Sequence, residues 1–154
     1  MREILIDCGI NYLHNDRTQI QKNTLAIMMR YNISSFNIEF INKFLYMYDN
    51  IHINARIASS ISGKSYWFHG GVKISSTMLL DLFEYYYDEF RDICNTTNEK
   101  LFPIGSGFDD VVSISEDENI YVLDQLVANS WEEFLDSLVA DKYEASGISV
   151  GNIL

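Results

Sequence analysis

Helical periodicity and short β-like runs divide this chain into recognisable pieces. The segment SSTMLLDLFEYYYDEFRDI places Leu79, Leu82, Phe83, Tyr86, Phe90 and Ile93 along one stripe. Asp81, Glu84, Asp88 and Asp92 fall on the opposite face. Apolar residues three and four apart, backed by a polar face, predict one amphipathic helix, which Ser76 or Thr77 can cap. RTQIQKNTLAIMMRY predicts a helix carried by Ile20, Leu25, Met28 and Met29. FNIEFINKFLYMYDN predicts another, with Ile38, Ile41, Leu45 and Tyr48 on one face and Asp49-Asn50 as its end. Near the C-terminus, Ser130 and Glu133 form an S-x-x-E capping box. The stripe Trp131, Phe134, Leu135, Leu138 and Val139 follows at helical spacing.

A second set of segments has period two. IHINARIASSIS alternates Ile51, Ile53, Ala55 and Ile57, and SYWFHGGVKIS has strand composition with Gly70-Gly71 as a turn or bulge. Three shorter runs, FPIG, DVVSIS and NIYVLD, are separated by the polar stretches GSGFD and EDE. Val111, Ser113 and Ser115 alternate against Val112 and Ile114, and Ile120 and Val122 against Tyr121 and Leu123, which predicts half-buried strands. Ile4–Tyr12 reads equally as a short strand or an irregular start, and the tail EASGISVGNIL as frayed or docked. Helices, strands, a helix, strands and a helix, without βαβ alternation, predict an α+β fold with a mostly antiparallel sheet. At 154 residues, with one proline and no linker composition, a single domain is expected.

Composition changes the picture mainly through charge. The net charge is −11. Up to Thr77 there are eight basic and five acidic residues, a balance of +3; from Met78 onward there are three basic and seventeen acidic, a balance of −14. So negative a half repels phosphate and predicts no nucleic-acid partner. It attracts a basic partner and speeds the encounter. Twenty-one aromatic residues, from ten Tyr, nine Phe and two Trp, argue against disorder. Cys8 and Cys94 stand far apart and outside any C-x-x-C, so both are expected to be reduced and structural. The N-terminal MREILIDCGINYLHNDR lacks the pattern of a secretory leader, and no run reaches the ~20 apolar residues of a membrane span. No membrane partner and a cytoplasmic location are expected.

The motifs offer little catalytic chemistry. Gly105-Ser106-Gly107 lacks the Lys-Ser/Thr of a phosphate loop and the third glycine of a dinucleotide loop, so it reads as a hairpin turn. Asp109 and Asp110 are adjacent at a strand start, where neighbours point to opposite faces, and so do not form a catalytic pair. Glu116-Asp117-Glu118 lacks calcium-loop spacing and reads as a charged turn. His14, His52 and His69 are scattered, and S-x-x-K does not occur. No cofactor, metal or catalytic residue is expected; an enzyme with dispersed groups around His69 stays open as an alternative.

FLYMYDN, LFPIGSGFDDVVSIS, NIYVLD and VANSWEEFLDSLV, in this order, resemble the SUKH superfamily, the Smi/Knr-like fold. Phe44, Leu45 and Tyr48 match its first helix, and Pro103, Ile104, Gly105 and Asp110 its central hairpin. Ser130, Trp131, Phe134, Leu135 and Leu138 match its closing helix. The resemblance runs from Ile38 to Val139. It departs at Asn37-Ile38, where the family carries L-P-x-x-Y, and at Leu123, where it carries Trp. The resemblance implies a curved sheet with helices around it and no catalysis. It also implies an immunity protein that binds and neutralises a cognate toxin, often a nuclease or deaminase, and the acidic half adds the expectation of a basic surface on that toxin. A scaffold or regulatory binding module is the alternative. The expected partner face combines Asp81, Glu84, Asp88 and Asp92 with Glu116, Asp117 and Glu118, aided by Tyr85 and Trp67.

Overall fold

A computed structural model describes residues 15–61, 64–107 and 109–144; within these, the side chains of 54–61, 64–70 and 139–144 are not described. Ile4–Tyr12, Cys8, His14, the side chains of Trp67, His69 and Val139, and the tail beyond Glu144 therefore lie outside the description. Among the described residues the fold is α+β, with five helices and one six-stranded antiparallel sheet. The helices are α1 Arg17–Arg30, α2 Ile38–Tyr48, α3 Ser76–Asp81, α4 Phe83–Thr97 and α5 Trp131–Glu144. The strands are β1 Ile51–Ile61, β2 Lys64–Ile74, β3 Leu101–Gly107, β4 Asp110–Ser115, β5 Ile120–Val122 and β6 Gln125–Ala128. Their order in the sheet is the order of the sequence, each strand pairing antiparallel with the next. No helix among the described residues is long and apolar enough to cross a membrane.

The helices begin where a polar side chain replaces a missing backbone partner. Asp16, Asn37 and Ser75 accept from the N–H groups of Gln19, Phe40 and Met78 respectively. At α5, Ser130 Oγ accepts from Glu133 N–H at 3.0 Å. The Glu133 carboxylate reaches back to Asn129 N–H, one residue before the capping serine. Left-handed Asn50 and Asn98 follow the ends of α2 and α4, and asparagine tolerates that conformation better than most residues.

Several expectations change. The helix over 17–30 forms, but its buried face is Ile20, Asn23, Thr24 and Ile27, while Leu25 is 52% and Met29 83% exposed. The inward face is partly polar because it meets the start of α3, where Asn23 Nδ2 donates to Ser76 Oγ at 2.9 Å. The 76–97 segment is two helices, capped by Ser75 rather than Ser76 or Thr77 and divided at Leu82. Leu82 is 46% exposed, so it leaves the expected stripe, while Leu79, Tyr86, Phe90 and Ile93 remain in the core. Gly70 and Gly71 pair with Ala55 and Asn54 in unbroken register, so neither a turn nor a bulge occurs there.

The central hairpin also differs. Gly105-Ser106-Gly107 lies within β3, and the left-handed residue near the reversal is Asp109. The glycines serve close approach: a Cβ on Gly105 would lie 1.9 Å from Lys73 O, on the neighbouring strand. The ladder shifts between Pro103 and Gly105, a bulge at which a residue without an N–H is accommodated. Val111 through Ser115 are all buried, so β4 is covered on both faces rather than half-buried. A further short strand, β6, follows β5 and was not expected.

Candidate functional site

The acidic side chains expected to meet a partner are distributed over three places. α4 turns Tyr86, Phe90 and Ile93 into the core, where Phe90 packs edge-on against Tyr31, the residue after α1, with ring centroids 5.7 Å apart. Glu84, Tyr85, Asp88 and Asp92 remain exposed, Tyr85 to 67%. Spacing of i, i+4, i+8 keeps the three acids along one side of α4. Asp81 is exposed at the end of α3, across the Leu82 break.

Nearby cations are directed elsewhere. Arg91, the sole basic residue of α4, donates to the Asn32 carbonyl at 3.2 Å, beyond the end of α1. Arg30 donates to Leu80 O at 3.1 Å and stacks over the Phe83 ring. Among the described residues, no salt bridge is made by Asp81, Glu84, Asp88 or Asp92. Among the described residues these acids therefore keep their charge outside any ion pair.

Beside them the fold assembles carboxyl groups that the sequence reading did not connect. Glu89 Oε1 accepts from Val111 N–H at 3.4 Å, and its carboxyl interacts with that of Asp110. Burial pushes the pKa of both groups up. The Val111 N–H opposes the rise at Glu89, and the Asp109 charge adds to that at Asp110. Two interacting carboxyls hold a proton between them more readily than two isolated ones. Asp110 thus acquires a partner from another element. Further along α4, Glu89, Asp92, Ile93 and Thr96 face Leu123 and Asp124 across an open hollow of about 480 Å³. Among the described residues, no group of three or more His, Cys, Asp or Glu is arranged to hold a metal ion.

The Glu116-Asp117-Glu118 turn is put to different uses. Glu116 is ion-paired with Lys100 at 3.1 Å, and Lys100 also donates to Ser35 Oγ. Asp117 is exposed, its N–H tied to Ser115 Oγ. Glu118 adopts φ 67° and faces a separate hollow with Phe44, Tyr48, Ser130, Trp131 and Glu132. Trp67 pairs with Ala58 in the β1–β2 ladder. Glu89, Asp124 and the second hollow were missed because each depends on contacts between distant elements. The only sequence signal for them was the surplus of acids after Met78.

No protein-family model matches this chain, and neither does any curated protein or any solved structure.

Proposed function

We propose that this protein is an immunity protein that binds a basic protein toxin and covers its working surface. The observation that carries the reading is the exposed acidic side of α4, Glu84, Asp88 and Asp92, with no salt bridge to these acids among the described residues. A nuclease presents cations to phosphate, and an acidic inhibitor answers them by charge complementarity. Exposed Tyr85 supplies an aromatic anchor beside the charges, a residue type enriched at binding hot spots. The sequence resemblance to the SUKH superfamily supports the same reading.

The test starts with co-purification of the chain with the product of the adjacent gene, identified by mass spectrometry. Affinity is then measured across a salt series for the wild type and for Asp88→Lys with Asp92→Lys. Two charges are reversed, a net change of about four units, so association slows and affinity falls by at least about tenfold at low salt, with a shallower salt dependence. Unchanged affinity and unchanged salt slope would remove α4 as the binding face.

A further inference from the structure

The hollow that takes Glu118 away from α4 has a chemistry of its own. Phe44 and Tyr48 come from α2, Trp131 and Glu132 from the first turn of α5, and Glu118 from the β4–β5 turn. Phe44 and Tyr48 each pack against Trp131, with ring centroids 5.1 and 5.2 Å away. Glu118 is held in its left-handed conformation while its N–H donates to Ser115 O at 3.0 Å. The hollow measures about 330 Å³, at the small end for a ligand site. Aromatic rings and two carboxylates line it, and no described cation does.

A second observation points to an occupant. Trp131 is only 3% exposed, and its indole Nε1–H is buried without a hydrogen-bond acceptor among the described residues. A buried donor left unpaired is an unusual feature of a folded protein, one commonly completed by a group absent from the structure.

We infer that this hollow receives one arginine or lysine side chain of a protein partner. The ring quadrupoles attract a cation. The Glu118 and Glu132 carboxylates give guanidinium or ammonium charge-assisted hydrogen bonds. The aliphatic stem can lie against the half-buried Tyr48 ring. Two carboxylates exclude an anion, and a purely apolar group leaves them unanswered. The inference rests on the reading of a basic protein partner and assigns it a second contact point, on a different set of elements from α4.

The experiment needs no identified partner. Wild-type protein carrying ¹⁵N-labelled tryptophan is titrated with N-acetyl-arginine amide, and the two indole N–H signals are followed by NMR. One signal is expected to shift saturably. Glu118→Gln with Glu132→Gln, both exposed and so expected to fold, weakens that binding about tenfold. The neutral analogue N-acetyl-norleucine amide leaves the signal in place. No saturable shift, an equal shift with the norleucine analogue, or indifference to the glutamine pair overturns the inference. Tighter binding of tetramethylammonium than of the arginine amide also overturns it, by assigning the hollow to a free small cation. Asp88→Lys with Asp92→Lys leaves the titration unchanged, so the two readings fail separately.

Discussion

Replacing Asp49 tests how the acidic helices are held in place. Asp49 ends α2, is 4% exposed, and directs its carboxylate at the first residue of α3. Oδ1 accepts from Ser76 N–H and Oδ2 from the Ser76 hydroxyl, both at 2.7 Å. Ser76 Oγ in turn accepts from Asn23 Nδ2, and Asn23 Oδ1 accepts from Gln19 Nε2 at 2.8 Å. One buried carboxylate therefore joins α1, α2 and α3. Asp49→Ala removes two charge-assisted hydrogen bonds, each worth about 1.5–3 kcal/mol, and leaves two buried donors unpaired. Relief of the carboxylate's own burial offsets part of this, since burial raises the Asp49 pKa. The expected net loss is about 3 kcal/mol, or roughly 6–12 °C in Tm for a chain of this size. Asp49→Asn keeps an acceptor for Ser76 N–H but turns an amide donor toward a hydroxyl that already accepts from Asn23, so it costs about half as much. Urea unfolding reads both losses as a lower midpoint at constant slope. A double-mutant cycle with Ser76→Ala isolates the contact. Wild-type stability in Asp49→Ala, equal losses in the two variants, or strict additivity with Ser76→Ala would refute the reasoning.

Two more predictions follow from groups the fold leaves little room to change. Gly105→Ala forces a Cβ against the Lys73 carbonyl and is expected to cost about 3 kcal/mol or more. At Gly107→Ala the nearest atoms a Cβ meets are the Val112, Val72 and Val122 side chains, the closest at 2.9 Å, and the substitution is expected to cost less in the same urea assay. Burial raises the folded-state pKa of Asp49, Glu89 and Asp110, so the native state binds protons more readily than the unfolded chain. Their stabilising contribution is fully present below the unfolded value of about 4 and is lost as pH rises through the raised native values. Tm at constant ionic strength should therefore rise as pH falls through the raised native values toward about pH 4. A fall over that interval would count against the burial of these carboxyls.

Where a segment's neighbours are local, the sequence was readable. α2, α5 and the β3–β5 meander stand close to where periodicity and turn residues placed them, and the Ser130–Glu133 box does cap α5. The failures have a common cause. The inward face of α1 was misassigned because Asn23 and Thr24 are buried by a polar network with α3, and periodicity counts only apolar residues. The glycines of β3 looked like a turn because glycine marks turns and close strand approach alike, and only the Lys73 backbone decides between them. β6 was overlooked because its Gln125, Leu126 and Val127 are exposed at the sheet edge, so no alternation marks them. For the candidate site, the exposed acids of α4 were legible from helical spacing. The pairing of Glu116 with Lys100 and the place of Glu118 beside Trp131 are contacts between elements, which helical spacing does not show.

The −14 balance of the C-terminal half is thus not one surface. Asp110 and Glu89 interact with each other at the start of β4, and their raised pKa values reduce the charge they show as pH falls. Glu116 is neutralised by Lys100. Glu133 is used by Asn129 N–H. Asp81, Glu99, Asp109, Asp117, Asp124 and Asp136 are exposed as well, and the two groups proposed for a partner are the outer side of α4 and the pair Glu118 and Glu132. These acids differ in what they can contribute. Exposed helix charges act over roughly a Debye length, about 8 Å at physiological salt, and chiefly set the encounter rate. The Glu118–Glu132 pair acts at contact, beside buried aromatic rings, and would chiefly set how long a bound cation stays. A partner that used both would show a salt-sensitive association rate, slowed by α4 charge reversal, and a dissociation rate increased by the Glu118 and Glu132 substitutions. Measuring the two rates separately would therefore assign each acidic group its role, which an equilibrium affinity alone does not resolve.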